Sequence, residues 1–243
     1  MSIQNKVVIV TGASSGIGRA TAIHLASLGA HVVLAARSKD VIEEFSTALP
    51  GSMAIATDMT DFGQIRFLVR ETVARFGRLD ALVNNAGRAY EATVEKTDME
   101  AMEQIFRLNV MAPIAAMQEA IPALRKAGGG SIVNIGSGTA FMAIPGYSVY
   151  SSSKRALAGF TLTARGELAS ENIRVSLVHP RLTATSFGEN KLRTESDNGL
   201  LGRAGADYTK GDPPEKIAEL VHQAIVEGGA EYFAHEDMVP KGR

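Results

Sequence analysis

Short apolar runs alternate with longer segments of helical period along almost the whole chain. The run at 6–10, KVVIV, is β-branched, has no polar face and stops at a glycine-rich stretch. That combination predicts a buried strand followed by a tight turn. Ile17, Ala20, Ile23, His24 and Leu28 then recur at helical spacing, and Gly29 is a stop signal. The cycle repeats, with further strands expected at 31–36, 53–56, 80–84, 131–135, 174–179 and 231–234. Helices are expected between them at 39–49, 62–76, 99–126, 150–169 and 214–227. Strands without a polar side belong to a sheet covered on both faces. The pattern therefore predicts an α/β fold: a single doubly wound parallel sheet with helices on both faces, and 1–243 as one domain without repeat or linker. One stretch breaks the rhythm. Residues 186–212 mix Phe187, Leu192, Leu200, Leu201 and Tyr208 with charged side chains. A connection this long in a compact domain is usually functional or disordered. This one follows the carboxyl end of a strand, where ligands bind in such sheets, so it is read as a substrate segment.

Composition narrows the function classes more than the fold. The 243 residues are 45% hydrophobic and 21% charged, with 25 basic against 26 acidic side chains and a net charge of -1. No field of one sign is available to attract nucleic acid or an anionic membrane, and neither is expected as a partner. The chain has no cysteine, which excludes disulfides and thiol catalysis and fits a reducing compartment. MSIQNK is polar and runs straight into VVIV, and no apolar run approaches the length of a membrane span. A cytoplasmic protein is expected, and no metal.

The glycine-rich stretch is Thr11-Gly12-Ala13-Ser14-Ser15-Gly16-Ile17-Gly18. Glycines between a strand and a helix let the backbone approach a pyrophosphate, whose charge is favoured by the helix's N-terminal amides. The spacing is Gly-x-x-x-Gly-x-Gly, and a tight turn with no ligand is the competing reading. A carboxylate about twenty residues on would hold the 2′-hydroxyl of NAD. Here the second strand ends in Ala36 and Arg37, and a guanidinium there pairs with a 2′-phosphate. NADP(H) is thus favoured over NAD(H), against a plain solvated arginine. Further on, YSVYSSSK (147–154) offers Tyr-x-x-x-Lys from Tyr150 and Ser-x-x-Lys from Ser151. Tyr150 and Lys154 share a helix face. A free tyrosine, with a pKa of roughly 10, needs a nearby positive charge to exchange protons near neutrality.

With these residues in place the sequence strongly resembles the short-chain dehydrogenase/reductase family, over roughly the first 185 residues. The motifs, in order, are TGASSGIG, Asp58 in ATDMTD, NNAG at 84–87, Asn109 in RLNVMAP, Ser137 in IVNIGSG, and YSSSK. The resemblance implies a Rossmann-type fold and a catalytic tetrad of Asn109, Ser137, Tyr150 and Lys154. It implies cofactor contacts from Gly12, Ser14, Ser15, Gly16, Ile17 and Gly18, from Asp58 and the Met59 backbone at the adenine, and from Asn85, Ala86 and Gly87 along the adenosine. Tyr150 and Lys154 join them at the nicotinamide ribose, with Pro180, Thr183 and Thr185 near the carboxamide and phosphates. Asn109 would support a water chain to Lys154.

Departures from the family pattern are local. Gly136 stands where a first serine is common, and Arg181 stands where glycine is common, facing either solvent or an anionic substrate. His179 reads as a satisfied strand-end side chain. The tail EGGAEYFAHEDMVPKGR lacks a glycine-rich tetramer strand. A homo-oligomer is expected, as a tetramer or as a dimer through helices 111–126 and 150–169. The expected activity is that of an NADP(H)-dependent oxidoreductase interconverting a carbonyl and a secondary alcohol. Its substrate pocket is expected at 89–93, 139–144 and 186–212, with Tyr147 contributing, and suits a small or medium neutral carbonyl compound. Two rivals remain. One is an NADPH-binding protein without catalysis. The other is a serine hydrolase on Ser151 and Lys154 with Ser196-Asp197-Asn198, although its third motif, Lys-Thr-Gly, is absent.

Overall fold

The structure is a computed structural model, and it describes residues 2–192 and 210–240. Seven strands form one parallel sheet: β1 (Val7–Thr11), β2 (His31–Ala36), β3 (Met53–Ala56), β4 (Ala81–Asn84), β5 (Gly130–Ile135), β6 (Ile173–His179) and β7 (Glu231–Phe233). Their order is β3-β2-β1-β4-β5-β6-β7. The chain thus winds outward in one direction from β1 and in the other from β4. The loops that leave these two neighbours diverge, which opens a crevice at their carboxyl ends.

The helices are α1 (Gly16–Ser27), α2 (Lys39–Thr47), α3 (Phe62–Phe76), α4 (Met99–Phe106), α5 (Ala112–Lys126), α6 (Ser148–Leu168) and α7 (Pro214–Glu227). The two-residue period of a strand divides the core. Val8 and Val10 of β1, with Val32 and Leu34 of β2, pack against α1, α2 and α7 through Leu25, Phe45 and Ile217. Val7 and Ile9, with Val33 and Ala35, face α3, α5 and α6 through Leu68, Met117 and Leu168. Each large apolar side chain buried this way contributes about 1.5–3 kcal/mol. Both faces of the sheet are covered, as the unbroken apolar strands predict. Among the described residues no helix is long and apolar enough to cross a membrane.

The expected helix at 99–126 is interrupted. Between α4 and α5 lies a π-helical turn, Arg107–Met111. Pro113 stands at the second residue of α5. It has no N–H for the carbonyl four residues back, that of Asn109, and its ring crowds that carbonyl. Widening the turn there relieves the conflict. Two neighbouring boundaries also move. Helix α6 begins at Ser148 with Tyr147 as its N-cap, so Tyr150 lies inside the first turn. The last strand is short and sits at the edge of the sheet, paired with β6 from Leu177 to His179.

A buried polar ladder fixes α6 against the sheet. Asn84 and Asn134 are register partners on β4 and β5. Asn84 Nδ2 donates to Asn134 Oδ1 at 2.8 Å, and Asn134 Nδ2 donates to Thr161 Oγ1 at 2.9 Å. Paired buried polar groups favour one arrangement, because breaking a pair is costly; Asn84 Oδ1 itself finds no partner among the described residues. Here the ladder sets the rotation of the helix that carries Tyr150 and Lys154.

Candidate active site

The turn after β1 is held open from behind. Thr11 Oγ1 accepts from the backbone N–H groups of Asn85 and Ala86, at 2.9 and 3.0 Å. Asn85 Nδ2 donates to the carbonyl of Thr11 at 2.9 Å. The loops after β1 and β4 are thereby stitched together at the crevice. Gly12 has φ +65, and a Cβ there would come within 2.9 Å of Asn85 Nδ2. A Cβ on Gly18 would lie 2.3 Å from the Gly12 carbonyl oxygen. Both positions therefore require glycine. Ser15 is the N-cap of α1 but makes no side-chain cap bond, and the first turn carries no acidic residue. Neither a hydroxyl cap nor a carboxylate competes, among the described residues, for the amides at this helix start, which is the condition for binding an anion there.

A cavity of about 1120 Å³ opens in front of this turn, bordered by the loops that follow β1 to β6. It exceeds the roughly 300–1,000 Å³ of a drug-sized pocket. Its wall includes Gly12, Ser14, Ser15, Gly16 and Ile17, then Arg37, Asp58 and Met59, then Asn85, Ala86 and Gly87. Ser137, Tyr150, Lys154, Pro180, Thr183 and Thr185 complete the predicted set on the wall. Among the described residues the charged lining is Arg37, Arg88, Arg107, Lys154 and Arg181 against Asp58 and Asp237. A chain with a net charge of -1 thus presents a cationic cavity, which attracts a polyanionic ligand. Two predicted residues lie off the wall. Gly18 is buried behind the turn, where its missing side chain lets the helix approach Gly12. Asn109 is buried behind the loop after β4. Its Oδ1 accepts from Arg88 N at 3.0 Å, and its Nδ2 donates to Arg88 O at 2.9 Å and to Ser153 Oγ at 3.1 Å.

Asn109 therefore acts as a bracket. It grips both backbone groups of Arg88, the residue after Gly87, and ties them to α6 through Ser153. Ser153 Oγ in turn donates to the Tyr150 carbonyl at 2.7 Å. Lys154 reaches into the same place: its Nζ donates to the Ile135 carbonyl at 2.8 Å and sits 5.9 Å from the centre of the Tyr150 ring. Burial pushes the Lys154 ammonium down to about 8. Desolvation penalises the charged form. Arg88 is also held below its usual range, first by burial and then by the charge of Arg37.

Ser137 lies two residues beyond β5, as N-cap of a short 3-10 turn, Gly138–Phe141. Its Oγ accepts from Thr139 N at 3.2 Å and from Thr139 Oγ1 at 2.9 Å. A hydroxyl oxygen has two acceptor sites and one proton. With both sites filled by Thr139, Ser137 is left as a donor. By contrast, Ser151 is absent from the cavity wall, and its buried hydroxyl finds no hydrogen-bond partner among the described residues. A Ser-x-x-Lys nucleophile would need both a base and an exposed face.

The family profile described as short chain dehydrogenase matches residues 6–196. The chain belongs to the short-chain dehydrogenase/reductase family. It is 33% identical over 229 residues to the 3-oxoacyl-[acyl-carrier-protein] reductase of Thermotoga maritima, covering 91% of this chain and 90% of that protein. A short-chain dehydrogenase of Streptomyces avermitilis has a crystal structure with a TM-score of 0.85 and 31% identity, covering 97% of this chain and 89% of that one. The 3-ketoacyl-(acyl-carrier-protein) reductase of Brucella melitensis, solved with NADH, gives a TM-score of 0.84 at 26% identity, covering 96% and 97%.

Within this family framework the substrate side differs from expectation. Residues 89–93 do not line the cavity. Ala89 and Tyr90 are buried, and the stretch forms isolated bridges instead, Tyr90 with Leu192 and Ala92 with Tyr147. The apolar lining comes from Phe141, Met142 and Ile144, from Tyr147 as expected, and from Phe187 and Leu192. Residues 193–209 of the expected substrate segment, with Ser196, Asp197 and Asn198, lie outside the described residues. The tail supplies an unexpected wall, from Asp237 to Pro240. No sequence signal marked it, because a tail's docking depends on what its side chains meet. Arg181 does not stand alone in solvent: its Nη1 donates to Asp237 Oδ2 at 3.1 Å, though both are exposed. His179, read as a satisfied strand-end side chain, is buried at the end of β6, with Nε2 3.1 Å from Glu231 Oε1 and its ring stacked on Phe233 at 4.6 Å. Among the described residues no cluster of metal-ligating side chains is present.

Proposed function

We propose that this chain is an NADP(H)-dependent oxidoreductase that interconverts a carbonyl and a secondary alcohol, with Tyr150 as the acid/base. The observation that carries the proposal is the meeting of Tyr150, Lys154 and Ser137 on the wall of the same cavity as the glycine turn. The residues fit a dinucleotide: a backbone cradle closed to any Cβ, a helix start without a competing carboxylate, and a cationic lining. Gly12 to Ile17 would hold the pyrophosphate, Asp58 and Met59 the adenine, and Asn85 to Gly87 the adenosine side. Gly18 serves by closeness of packing rather than by contact. Pro180, Thr183 and Thr185 would meet the nicotinamide end. When bound, the nicotinamide supplies or accepts the hydride.

The protein's share is the proton and the orientation. Ser137, made a donor by Thr139, hydrogen-bonds the substrate oxygen. Tyr150 gives its phenolic proton to that oxygen during reduction and takes it back during oxidation. The Lys154 ammonium stabilises the charge left on the tyrosine oxygen. Asn109 holds the loop after β4 and the first turn of α6 in one frame, so it positions rather than touches. Arg37 follows β2 directly and lines the cavity, with Ser38 beside it, and no carboxylate stands there to repel a 2′-phosphate. NAD(H) is the second reading, supported by the NADH held in the Brucella relative's structure. One domain serves both cofactor and substrate. Exposed Met111 and Phe160 on the outer surfaces of the central helices support a homo-oligomer through them. Tyr150→Phe is expected to remove most ketone-dependent NADPH oxidation while NADPH titration stays near normal. Near-normal turnover in that variant overturns the assignment.

A further inference from the structure

The tail after β7 crosses the cavity next to the residue that follows Ser137. Ala234 N donates to the His179 carbonyl at 3.1 Å, and Met238 N donates to the His235 carbonyl at 3.1 Å. Between them His235 Nε2 lies 2.8 Å from Asp212 Oδ2, and Lys216 Nζ lies 3.1 Å from Asp212 Oδ1. Asp212 is itself fixed on the loop after β6, for its N–H donates to the Leu182 carbonyl at 2.8 Å. The Arg181–Asp237 pair adds a third tie. A segment held at three points, by the backbone of β6 and by the Asp212 and Arg181 side chains of the loop after it, is a built wall rather than a loose end.

Its inner residue is Met238. A Cβ placed on Gly138 would fall 2.7 Å from Met238 Cε and 3.9 Å from its Sδ. The thioether therefore lies against the backbone beside Ser137, in space that only a glycine at 138 leaves free. Other parts of the lining are apolar as well: Phe141 and Ile144 after β5, Phe187 and Leu192 after β6. The charged side chains nearest on the tail side, Arg181 and Asp237, are spent on each other. Among the described residues, a carboxylate or phosphate on the substrate would meet no unpaired cation on this wall, and would pay desolvation without return.

We propose that Met238 is a specificity-determining residue: with Gly138 it bounds the site for one substituent of the carbonyl carbon, and the substrate is an apolar ketone or its alcohol. This rests on the carbonyl reduction proposed above. Methionine is a flexible gap-filler, so the bound is set by volume rather than by a directed contact. Shortening it opens room for several more heavy atoms, and a pocket discriminates by on the order of 10-fold or more per methylene it accepts or rejects.

The test uses the full chain with NADPH and a homologous series of methyl ketones from 2-butanone to 2-decanone, with a 2-oxo acid for comparison. In Met238→Ala the ratio of kcat/KM for the longest to the shortest ketone is expected to rise on the order of 10-fold. Met238→Leu, which restores most of the volume, is expected to fall between. NADPH binding, measured by fluorescence titration, serves as the check that each variant folds. An unchanged ratio in Met238→Ala overturns the role of Met238. Preference of the wild type for the 2-oxo acid, or no turnover of any ketone by protein that binds NADPH, overturns the substrate class. Failure of the reduction reading shows differently, as turnover that survives Tyr150→Phe.

Discussion

Lys154 carries a measurable stability cost, and replacing it isolates that cost. Its side chain is 4% exposed, and burial lowers its pKa from an ordinary 10.5 to about 8. For a base, a folded value below the unfolded one means that the folded state binds the proton less well. Below about pH 8 both states are protonated and the folded protein bears the full cost. Above about pH 10.5 neither is protonated and the cost is gone. In between, wild-type stability rises with pH relative to a variant that has no group to titrate. At 1.36 kcal/mol per pH unit the whole rise is about 3 kcal/mol. Lys154→Met keeps the length of the stem and removes the charge. Urea unfolding of both proteins at matched steps from about pH 7 to about pH 10.5 gives the difference. Titrating groups that do not interact with Lys154 cancel in that difference, and carrying Tyr150→Phe in both proteins removes the neighbouring phenol from it. The expected curve climbs in favour of the wild type by about 3 kcal/mol. A flat or falling curve would mean that water or a counter-charge reaches the ammonium, and the electrostatic account of the site would be refuted. The same variant is expected to lose turnover, which separates the chemical use of the charge from its cost in stability.

Other outcomes follow from the same geometry. Arg37→Ala is expected to raise the Kd for NADPH by about 10- to 100-fold, the range of a charge-assisted hydrogen bond, while the Kd for NADH moves little. Equal changes for both cofactors would remove the basis for the NADP(H) preference. Thr139→Val deletes the hydroxyl that donates to Ser137 Oγ and is expected to lower kcat by about 10-fold. Thr139→Ser recovers most of that loss, and NADPH binding stays constant throughout. A kcat unmoved in Thr139→Val would show that Ser137 needs no help in presenting its proton.

The elements legible in the sequence are those whose cause is local. Unbroken runs such as VVIV at 7–10 and HVVLAA at 31–36 declared strands buried on both faces, and β1 and β2 are such strands. The glycine turn was readable because Gly12 and Gly18 occupy places where a Cβ collides with backbone or with Asn85. The interruption at 107–111 was harder to see. Its agent, Pro113, is visible in the sequence, but helix α5 tolerates Pro122 in its interior, so a proline alone does not say where the helix yields. Asn109 carried a recognisable motif, yet its task could not be inferred from spacing. Only folding brings Arg88 and Ser153 to its two amide atoms.

The substrate side divides along the same line. Tyr150 and Lys154 share a helix face because they are one turn apart, and any helix over 148–168 would place them so. Whether that face meets the cavity depends on the Asn84–Asn134–Thr161 ladder, which joins residues far apart in the chain. The tail at 237–240 has no periodicity, and its sequence determines only that it is neither a long helix nor a strand. Its docking over Gly138 is decided by His179, Arg181 and Asp212, which meet it in three dimensions. Backbone propensity and hydrophobic period act over a few residues and are therefore written in order along the chain. The bounds of a pocket are set by contacts between distant segments, where each side chain's meaning depends on the neighbour the fold supplies.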